Sequence, residues 1–328
     1  MPTERVIESV CSDNACQGRY PFSTSSKLQV TCGDCMMAPL KLEYSMVGLQ
    51  RQDIENGPRN MWRYLPFLPV PMPREDSPLR GVGWTDLIKA DQLGGAIGLE
   101  EGCLYIKVDE GAITQTFKDR GMATVGQYVA ERNHNGQNYR AIAGTSTGNL
   151  ASSIAAIAKL LGLKSIIIVP ESTEEGLIKK TLAHGAYVLR VEGDYSRANR
   201  KVNQAISDND ILLEEIAWAN IKLRQVYSQG SKTLGLEIPE QLGWKVPAHI
   251  VHPVAAGLSL WQIYEGIQEL NRFGLIDSPH TQMHGVQTEK CDPVVDAWKR
   301  NSFEINPIRN PGRSVAETLC VPDPSNGV

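Results

Sequence analysis

Short apolar runs alternate with amphipathic stretches from about residue 100 to the end of the chain. Fully apolar or period-two runs predict strands, and apolar residues spaced three or four apart predict helices. The predicted strands are Cys103–Val108, Arg140–Ala143, Ser165–Val169, Tyr187–Val191, His249–Val254 and Met283–Gln287. The predicted helices are Lys118–Glu131, Asn149–Leu161, Glu174–Ala183, Tyr195–Ser207, Lys232–Leu242, Leu258–Leu270 and Pro293–Lys299. This alternation predicts an α/β fold with parallel sheets covered by helices.

The part of the chain before about residue 100 contains a cysteine-bearing segment and a proline-rich connector instead of this alternation. Residues 1–44 carry four of the cysteines and predict a small separate unit. A proline-rich connector runs from Pro66 to Pro78. Proline at this density excludes a regular helix or a central strand there.

Composition narrows the classes of partner. The chain has 328 residues, a net charge of −4 and a pI of about 5.9, which does not favour nucleic acid or an anionic membrane as the partner. The start of the chain lacks the apolar run that a secretory signal requires, so no signal is predicted. No stretch is long and apolar enough to predict a membrane span. Seven cysteines in such a chain predict a reducing compartment, so we expect a cytoplasmic protein.

One lysine stands at a predicted helix start, in the segment DEGAITQTFKDRGM. Thr114 and Thr116 offer hydroxyls to cap this helix, and Phe117 is an apolar neighbour. The positive helix end and Arg120 favour the neutral amine of Lys118, which is the form that attacks an aldehyde. A solvated surface lysine explains the same pattern, and the residues alone do not separate the two interpretations.

The run TFKDRGM resembles the Schiff-base lysine motif of threonine synthases, in the β-family (fold type II) of pyridoxal-phosphate enzymes. The resemblance implies that Lys118 binds pyridoxal 5′-phosphate, with Phe117 beside the cofactor and Thr116 on the substrate side. The family carries asparagine-proline-threonine-glycine-serine before the phenylalanine. This chain has Ala112, Ile113, Thr114, Gln115 and Thr116 there, which implies an altered substrate fit rather than loss of the cofactor.

Residues 144–149, GTSTGN, are similar to a second loop of the family. The family's asparagine bonds the 3′-oxygen of the pyridine ring, a role that falls to Asn149, whose amide stabilises a phenolate. Ser146 and Thr147 fall near the substrate carboxylate. The family commonly has threonine after the asparagine, and Leu150 here implies that one substrate hydroxyl contact is missing.

The same loop also satisfies the G-x-S-x-G pattern of a nucleophile elbow between a strand and a helix. A serine hydrolase would use Ser146 with an aspartate such as Asp277 and a histidine such as His280 or His284. That interpretation leaves the lysine motif unexplained. A tight turn before a core helix is a further explanation of the pattern.

The segment HPVAAGLSL joins a predicted strand to a predicted helix, where the family holds the cofactor phosphate with a glycine-rich loop. Backbone N–H groups that converge at a helix N-terminus bind phosphate. The residues at the matching positions are Ala255, Ala256, Gly257, Leu258 and Ser259. Further on, GVQTEKCDPVV is similar to a family turn and would bring Glu289 close to the cofactor ring; an exposed loop glutamate is the alternative.

Threonine synthases hold the substrate phosphate with an asparagine-serine and arginine set before a helix start that resembles Gly230–Thr233. In this chain the matching positions are Ile221, Lys222 and Tyr227. Lys222 and Arg224 are the candidates to hold an anion, although a solvated charged face is the common use of such residues. These substitutions imply a substrate other than phosphohomoserine.

The four early cysteines, Cys11, Cys16, Cys32 and Cys35, form one C-x4-C pair and one C-x2-C pair. Four thiolates suit a tetrahedral structural zinc, and free thiols are the alternative. Some threonine synthases and the related cysteate synthases begin with a similar knuckle.

The resemblance implies a tryptophan-synthase-β-like architecture with the cofactor between two domains. The predicted division is a cysteine knuckle at 1–44, a large domain formed by 45–124 and 231–328, and a small domain at 125–230. The segment Ser314–Pro322 is similar to a family segment well before the usual C-terminus. The family continues with a Ser/Thr that contacts the pyridine nitrogen. We therefore expect either that the large domain is incomplete here or that the protein closes its site differently.

The activity implied is that of a threonine-synthase-like lyase or replacement enzyme acting on an amino acid, with phosphate as the expected leaving group. A cysteate-synthase-like replacement on a phosphoserine-like substrate is the second interpretation, and a paralogue that binds the cofactor without turnover is the third. Relatives form homodimers, so a homodimer is expected.

Overall fold

The fold is described from a computed structural model. The described residues are 4–13, 15–24, 28–29, 31–35, 39–110, 113–171, 173–193, 195–209, 212, 214–277, 280–309, 311–312 and 314–324. Ala112, in the loop before the lysine, lies outside them. None of the helices in these ranges combines the length and apolar character that a membrane crossing requires.

A four-stranded parallel sheet occupies the middle of the chain. Its strands are β6 (Ala141–Thr145), β7 (Lys164–Pro170), β8 (Tyr187–Val191) and β9 (Ile216–Trp218), in the order β8-β7-β6-β9. The helices α4 (Asn149–Leu160), α5 (Glu175–Ala183) and α6 (Tyr195–Ser207) follow the first three strands in turn. The isoleucine run of β7 suits a central strand, and β6 is buried along its whole length. The predicted parallel sheet is confirmed.

Three long helices pack one on the next, and the first of them also packs on α4: α3 (Lys118–His134), α7 (Arg224–Gln241) and α8 (Leu258–Arg272). Two parallel strands, β10 (His249–Pro253) and β11 (Gln282–Val286), accompany them, and α9 (Pro293–Lys299) follows. Glycines let the helices approach closely. A Cβ at Gly230 would lie 2.1 Å from the carbonyl oxygen of Arg120, so only glycine fits where α7 crosses α3.

The N-terminal unit is a three-stranded antiparallel sheet of β1 (Glu4–Cys11), β2 (Arg19–Pro21) and β3 (Leu40–Val47). It packs against α7 through Tyr44, whose hydroxyl donates to Gln229 Oε1 at 3.1 Å. The buried Lys232 Nζ lies 4.2 Å from the centre of the same ring.

The proline-rich connector contains no α-helix and no strand, as predicted. A short helix α1 (Arg51–Glu55) precedes it, and 3-10 turns cover Met61–Phe67 and Pro78–Gly81.

Several elements were not predicted from the sequence, among them three that follow the proline-rich connector. The strand β4 (Asp86–Lys89) pairs antiparallel with β5 (Tyr105–Val108), and α2 (Asp91–Ala96) lies between them. The third is β9, whose three residues are too few to show a period. The strand predicted at Cys103 therefore begins at Tyr105 and belongs to a hairpin instead of a parallel sheet.

One helix begins earlier than predicted. Its start was placed at Lys232, but α7 begins at Arg224. Tyr227 explains the extension, because a Cβ at Gly121 would lie 2.4 Å from its ring, so this turn of α7 packs directly on α3. The predicted borders of the small domain, at residues 125 and 230, fall within α3 and α7, which run continuously through them.

Candidate active site

Lys118 is the first residue of α3, and its side chain is half-buried. Nζ lies 4.2 Å from the ring centre of Phe117. Burial lowers the pKa of Lys118 to about 8. The predicted shift toward the neutral amine is supported in direction, but its expected cause was wrong, because desolvation rather than Arg120 lowers the pKa. The expected threonine caps were also wrong, since the N-cap is Phe117 and no side chain caps the helix.

Lys118 differs from two other lysines that are shielded from solvent, Lys107 and Lys232. Lys107 Nζ lies 2.6 Å from Glu237, and Lys232 Nζ lies 2.7 Å from Glu269, so each is held by a carboxylate. Among the described residues, no carboxylate lies within ion-pair distance of Lys118. A desolvated lysine without a counter-charge releases its proton readily and is a candidate nucleophile.

The next residue of the motif, Asp119, holds the loop before the lysine. Its carboxylate is fully buried and accepts from Thr114 N at 2.6 Å, Thr114 Oγ1 at 2.7 Å and Ser153 Oγ at 2.6 Å. Because Ser153 belongs to α4, Asp119 ties the lysine loop to the helix that follows the GTSTGN loop.

Asp119→Asn is expected to lower the free energy of unfolding by about 3 kcal/mol, since an amide cannot accept from all three donors and hydrogen bonds to a charged group are strong. Urea unfolding measures the change. The control Ser153→Ala removes a single donor and is expected to cost about 1 kcal/mol. An Asp119→Asn protein as stable as wild type would contradict this role.

Gln115 has backbone angle φ 58°, the left-handed region that favours glycine. The family's motif has glycine at this position. A residue other than glycine in this conformation costs about 1 kcal/mol.

The loop of residues 144–149 lies between β6 and α4, as predicted. Asn149 is the first residue of α4, and Ser153, one turn later on the same face, reaches Asp119. Asn149 therefore faces the start of α3. Ser146 is buried, and its hydroxyl accepts from Gly148 N at 3.3 Å.

A residue that the sequence analysis missed fixes this loop. Asn220 follows β9, donates from Nδ2 to Thr145 O at 2.8 Å and accepts from Thr145 N at 3.2 Å. A lone asparagine after a three-residue strand gives no sequence signal. Its two bonds hold the start of the GTSTGN loop.

Lys222 and Arg224 come just after Asn220. Because β6 and β9 are parallel and adjacent, the segments that follow them lie at one edge of the sheet. The predicted anion-binding residues thus lie at the same edge as Ser146 and Thr147, and both are half-buried.

The predicted phosphate loop joins β10 to α8. Gly257 is the N-cap of α8 with φ 94°, which explains why glycine stands there. Ser259 lies in the first turn, with its hydroxyl 2.9 Å from His252 Nε2. His252 in turn packs edge-on against Phe117, with ring centres 6.2 Å apart. The loop and the lysine thus meet through His252, which the sequence analysis missed.

The chemistry of these groups fits pyridoxal phosphate. An amine with a pKa of about 8 suits an aldehyde, and a helix N-terminus with a glycine N-cap and a serine hydroxyl suits a phosphate. Asn149 adds an amide that faces the lysine helix. The remaining backbone positions of the loop are Ala255, Ala256 and Leu258, and all three are half-buried.

Glu289 is exposed, in the turn closed by the bridge between Thr288 and Cys291. Its expected position at the cofactor ring stays a prediction. The hydrolase interpretation requires a histidine beside Ser146. His284 instead lies on β11, with Nε2 3.0 Å from His249 Nδ1, and both rings are exposed.

The four cysteines of the N-terminal unit converge. Cys11 and Cys35 have Sγ atoms 3.7 Å apart, and Cys16 and Cys32 have Sγ atoms 3.6 Å apart. All four sulfurs lie within 4.8 Å of one another. Sulfurs around a tetrahedral zinc at about 2.3 Å would lie about 3.8 Å apart, so the arrangement fits that ion.

Comparison with known proteins agrees with this geometry. The family model described as "Pyridoxal-phosphate dependent enzyme" matches residues 79–327. The threonine synthase of Methanosarcina acetivorans is 32% identical over 298 residues, covering 90% of this chain and 69% of that protein. The threonine synthase of Methanocaldococcus jannaschii is 31% identical over 269 residues, covering 81% of this chain. This chain spans 62% of the length of the latter relative.

Solved structures show the fold. A threonine deaminase from Solanum lycopersicum superimposes with a TM-score of 0.58 at 18% identity, covering 81% of this chain and 71% of that one. Maize serine racemase superimposes with a TM-score of 0.57 at 15% identity, covering 72% and 65%. The predicted fold type II architecture is confirmed. The chain belongs to the family of pyridoxal-phosphate-dependent enzymes.

Proposed function

We propose that this protein binds pyridoxal phosphate at Lys118 and acts as a threonine-synthase-like enzyme on a phosphorylated amino acid. The observation that carries the proposal is the half-buried Lys118 without an ion-pair partner among the described residues, beside the N-terminus of α8 with Phe117 and His252 between them. The threonine synthases among its relatives support the reaction class.

Two groups of residues would hold the cofactor, one at its phosphate and one at its ring. Gly257, Ser259 and the adjacent backbone N–H groups would hold the cofactor phosphate at the positive end of α8. Asn149 would donate to the ring oxygen, and Phe117 would border the ring. When bound, pyridoxal phosphate supplies the electron sink for negative charge at the substrate α-carbon.

The Lys118 amine takes the α-proton of the substrate as general base, because its lowered pKa leaves a neutral fraction at pH 7. Thr116, Ser146 and Thr147 orient the substrate carboxylate with hydroxyl and backbone donors. Lys222 and Arg224 bind the leaving phosphate from the same sheet edge. Water as the incoming group would give threonine; another nucleophile would give the replacement reaction.

The test is a titration of the purified protein with pyridoxal phosphate, followed by borohydride reduction and peptide mapping. A visible absorption band and a label on Lys118 are expected. Phosphohomoserine and phosphoserine are then added separately, with release of inorganic phosphate as the readout. A colourless protein that ignores the cofactor would overturn the proposal.

The phosphate assay also separates the alternatives. Release from phosphoserine alone favours the cysteate-synthase-like replacement, and cofactor binding without release from either substrate favours the non-catalytic paralogue. For the serine hydrolase, a fluorophosphonate probe should label Ser146, and the absence of a label removes that alternative. A homodimer in the cytoplasm remains our expectation for the protein's state.

The rate of cofactor attachment should depend on pH. Burial lowers the pKa of Lys118 to about 8 from the ordinary lysine value, so the reactive neutral amine is about a tenth of the total at pH 7. The rate is expected to rise about tenfold per pH unit below 8 and to level off above it. Stopped-flow absorbance measures this profile. A rate that keeps rising to pH 10 would show an ordinary, solvated lysine.

We also propose that Cys11, Cys16, Cys32 and Cys35 bind a structural zinc ion. The sulfur spacing supports it, and with four cysteine ligands no position is left for catalysis. About one zinc per chain is expected by metal mass spectrometry, and Cys32→Ser should lose it together with thermal stability. The exposed Cys103 supplies the control, since Cys103→Ser should keep the metal. A wild-type protein without zinc after growth in zinc-supplemented medium would contradict the assignment.

A further inference from the structure

His252 lies between two parts of the candidate site, the predicted phosphate loop and the lysine. It lies near the end of β10, and the loop of residues 254–257 separates it from α8. The imidazole bonds Ser259 Oγ through Nε2 at 2.9 Å, which closes the loop on itself. The loop is held at two further points, where Val254 N donates to Val286 O at 2.8 Å and Gln287 Nε2 donates to Ala255 O at 3.1 Å.

The other side of the histidine meets the lysine. Its ring packs edge-on against Phe117, at an interplanar angle of 83°. The Lys118 amine lies 4.2 Å from the centre of that phenylalanine ring. One imidazole therefore contacts both the Ser259 hydroxyl at the predicted phosphate loop and the Phe117 ring that lies next to the Lys118 amine.

The charge state of the imidazole is set by its surroundings. Burial and, to a smaller extent, the positive charge of Lys118 lower the pKa of His252 to about 4, with Asp109 opposing them. The ring is therefore neutral at pH 7 and carries one N–H. With that proton on Nε2, the imidazole donates to Ser259 Oγ and leaves the serine's own proton free to donate to an anion.

We infer that His252 is a positioning residue of the cofactor site: from its place beside Phe117, it orients the Ser259 hydroxyl toward the cofactor phosphate. The inference rests on the proposed function. It assigns to His252 no contact with the reacting atoms, and its effect is exerted on cofactor affinity through the phosphate.

The experiment compares two ligands, pyridoxal phosphate and phosphate-free pyridoxal, in absorbance titrations of wild type, Ser259→Ala, His252→Phe, His252→Gln and the double variant Ser259→Ala/His252→Phe. Phenylalanine keeps the aromatic contact and loses the N–H, and glutamine keeps an N–H donor. Ser259→Ala and His252→Phe are each expected to raise the Kd for pyridoxal phosphate roughly tenfold, the loss of one hydrogen bond to a charged group. His252→Gln should stay within about threefold of wild type.

The double variant is expected to bind no more weakly than either single variant, because both remove the same interaction. Phosphate-free pyridoxal should bind all variants as it binds wild type. Equal weakening of both ligands in His252→Phe would indicate a structural role only and overturn the inference, as would full additivity in the double variant. If His252→Phe does not fold, Ser259→Ala and His252→Gln still decide the result, since the first must weaken only pyridoxal phosphate and the second must restore wild-type binding.

Failure of the inference and failure of the proposed function give different results. A wild-type protein that gives no absorption band with either ligand overturns both. A wild-type protein that binds pyridoxal phosphate, with His252→Phe binding it equally well, overturns the inference alone.

Discussion

Lys118→Ala is expected to lose the visible absorption band with pyridoxal phosphate and at least about a thousandfold in turnover. The covalent bond and the proton transfer both depend on the same nitrogen atom, and alanine removes it without adding bulk. The helix should persist, because alanine favours helix and Lys118 makes no ion pair within the described residues. Absorbance, borohydride labelling and phosphate release provide three separate readouts.

Two controls make the result specific. Lys159→Ala removes an exposed lysine of α4 and should leave the band and turnover unchanged. Methylamine added to Lys118→Ala should restore part of the proton transfer, since it supplies a small neutral amine where the side chain was. A band that persists in Lys118→Ala, with borohydride labelling a different lysine such as Lys232, would show that the assignment is wrong.

The features that could be predicted from the sequence are those that depend only on residues close together in the chain. Lys118 begins α3 as expected, and the helix Tyr195–Ser207 has the predicted bounds, because amphipathic periodicity and a strong motif need no distant partner. The loop of residues 144–149 lies between a strand and a helix for the same reason.

The remainder depends on contacts between distant positions. Asn220 bonds Thr145, which lies 75 residues earlier in the chain. No sequence pattern at either residue predicts this hydrogen bond. His252 bonds Ser259 across a loop, and its contact with Phe117 joins segments more than a hundred residues apart in sequence. Strand propensity does not determine which strands pair with each other. The antiparallel pairing of β4 with β5 therefore could not be predicted from the sequence.

Arg120, the arginine of the lysine motif, makes tertiary contacts that its position in the motif did not predict. Arg120 was expected to act on the lysine beside it. Instead its guanidinium is fully buried and lies 2.8 Å from Glu237 and 2.8 Å from Asp109. Glu237 also accepts from Lys107 Nζ at 2.6 Å and from the backbone N–H of Thr85 at 2.7 Å. The arginine therefore anchors α3 to α7 and leaves the lysine free.

Glu237→Gln is expected to lower the free energy of unfolding by about 3 to 5 kcal/mol at pH 7, because it leaves Arg120 and Lys107 buried without their shared counter-charge. Burial raises the pKa of Glu237, but Arg120 and then Lys107 outweigh it and bring the pKa to about 2. The folded pKa lies below the ordinary value, so this stabilisation is present above about pH 4.5 and is lost as pH falls toward 2.

The difference between wild type and Glu237→Gln should therefore shrink between pH 4.5 and 2, since Glu237 of the unfolded chain takes up a proton below about pH 4.5 while the folded protein keeps it ionised until near pH 2. Urea unfolding across this pH range measures it. Glu175→Gln is the control, because Glu175 is exposed and pairs with Arg190 at 3.2 Å in solvent, where an ion pair contributes less than about 1 kcal/mol. A Glu237→Gln protein that keeps wild-type stability at pH 7, or a gap that does not narrow in acid, would mean that the buried charges find other partners. The tie between α3 and α7 would then rest on the close packing of Gly230 against Arg120 and of Tyr227 against Gly121.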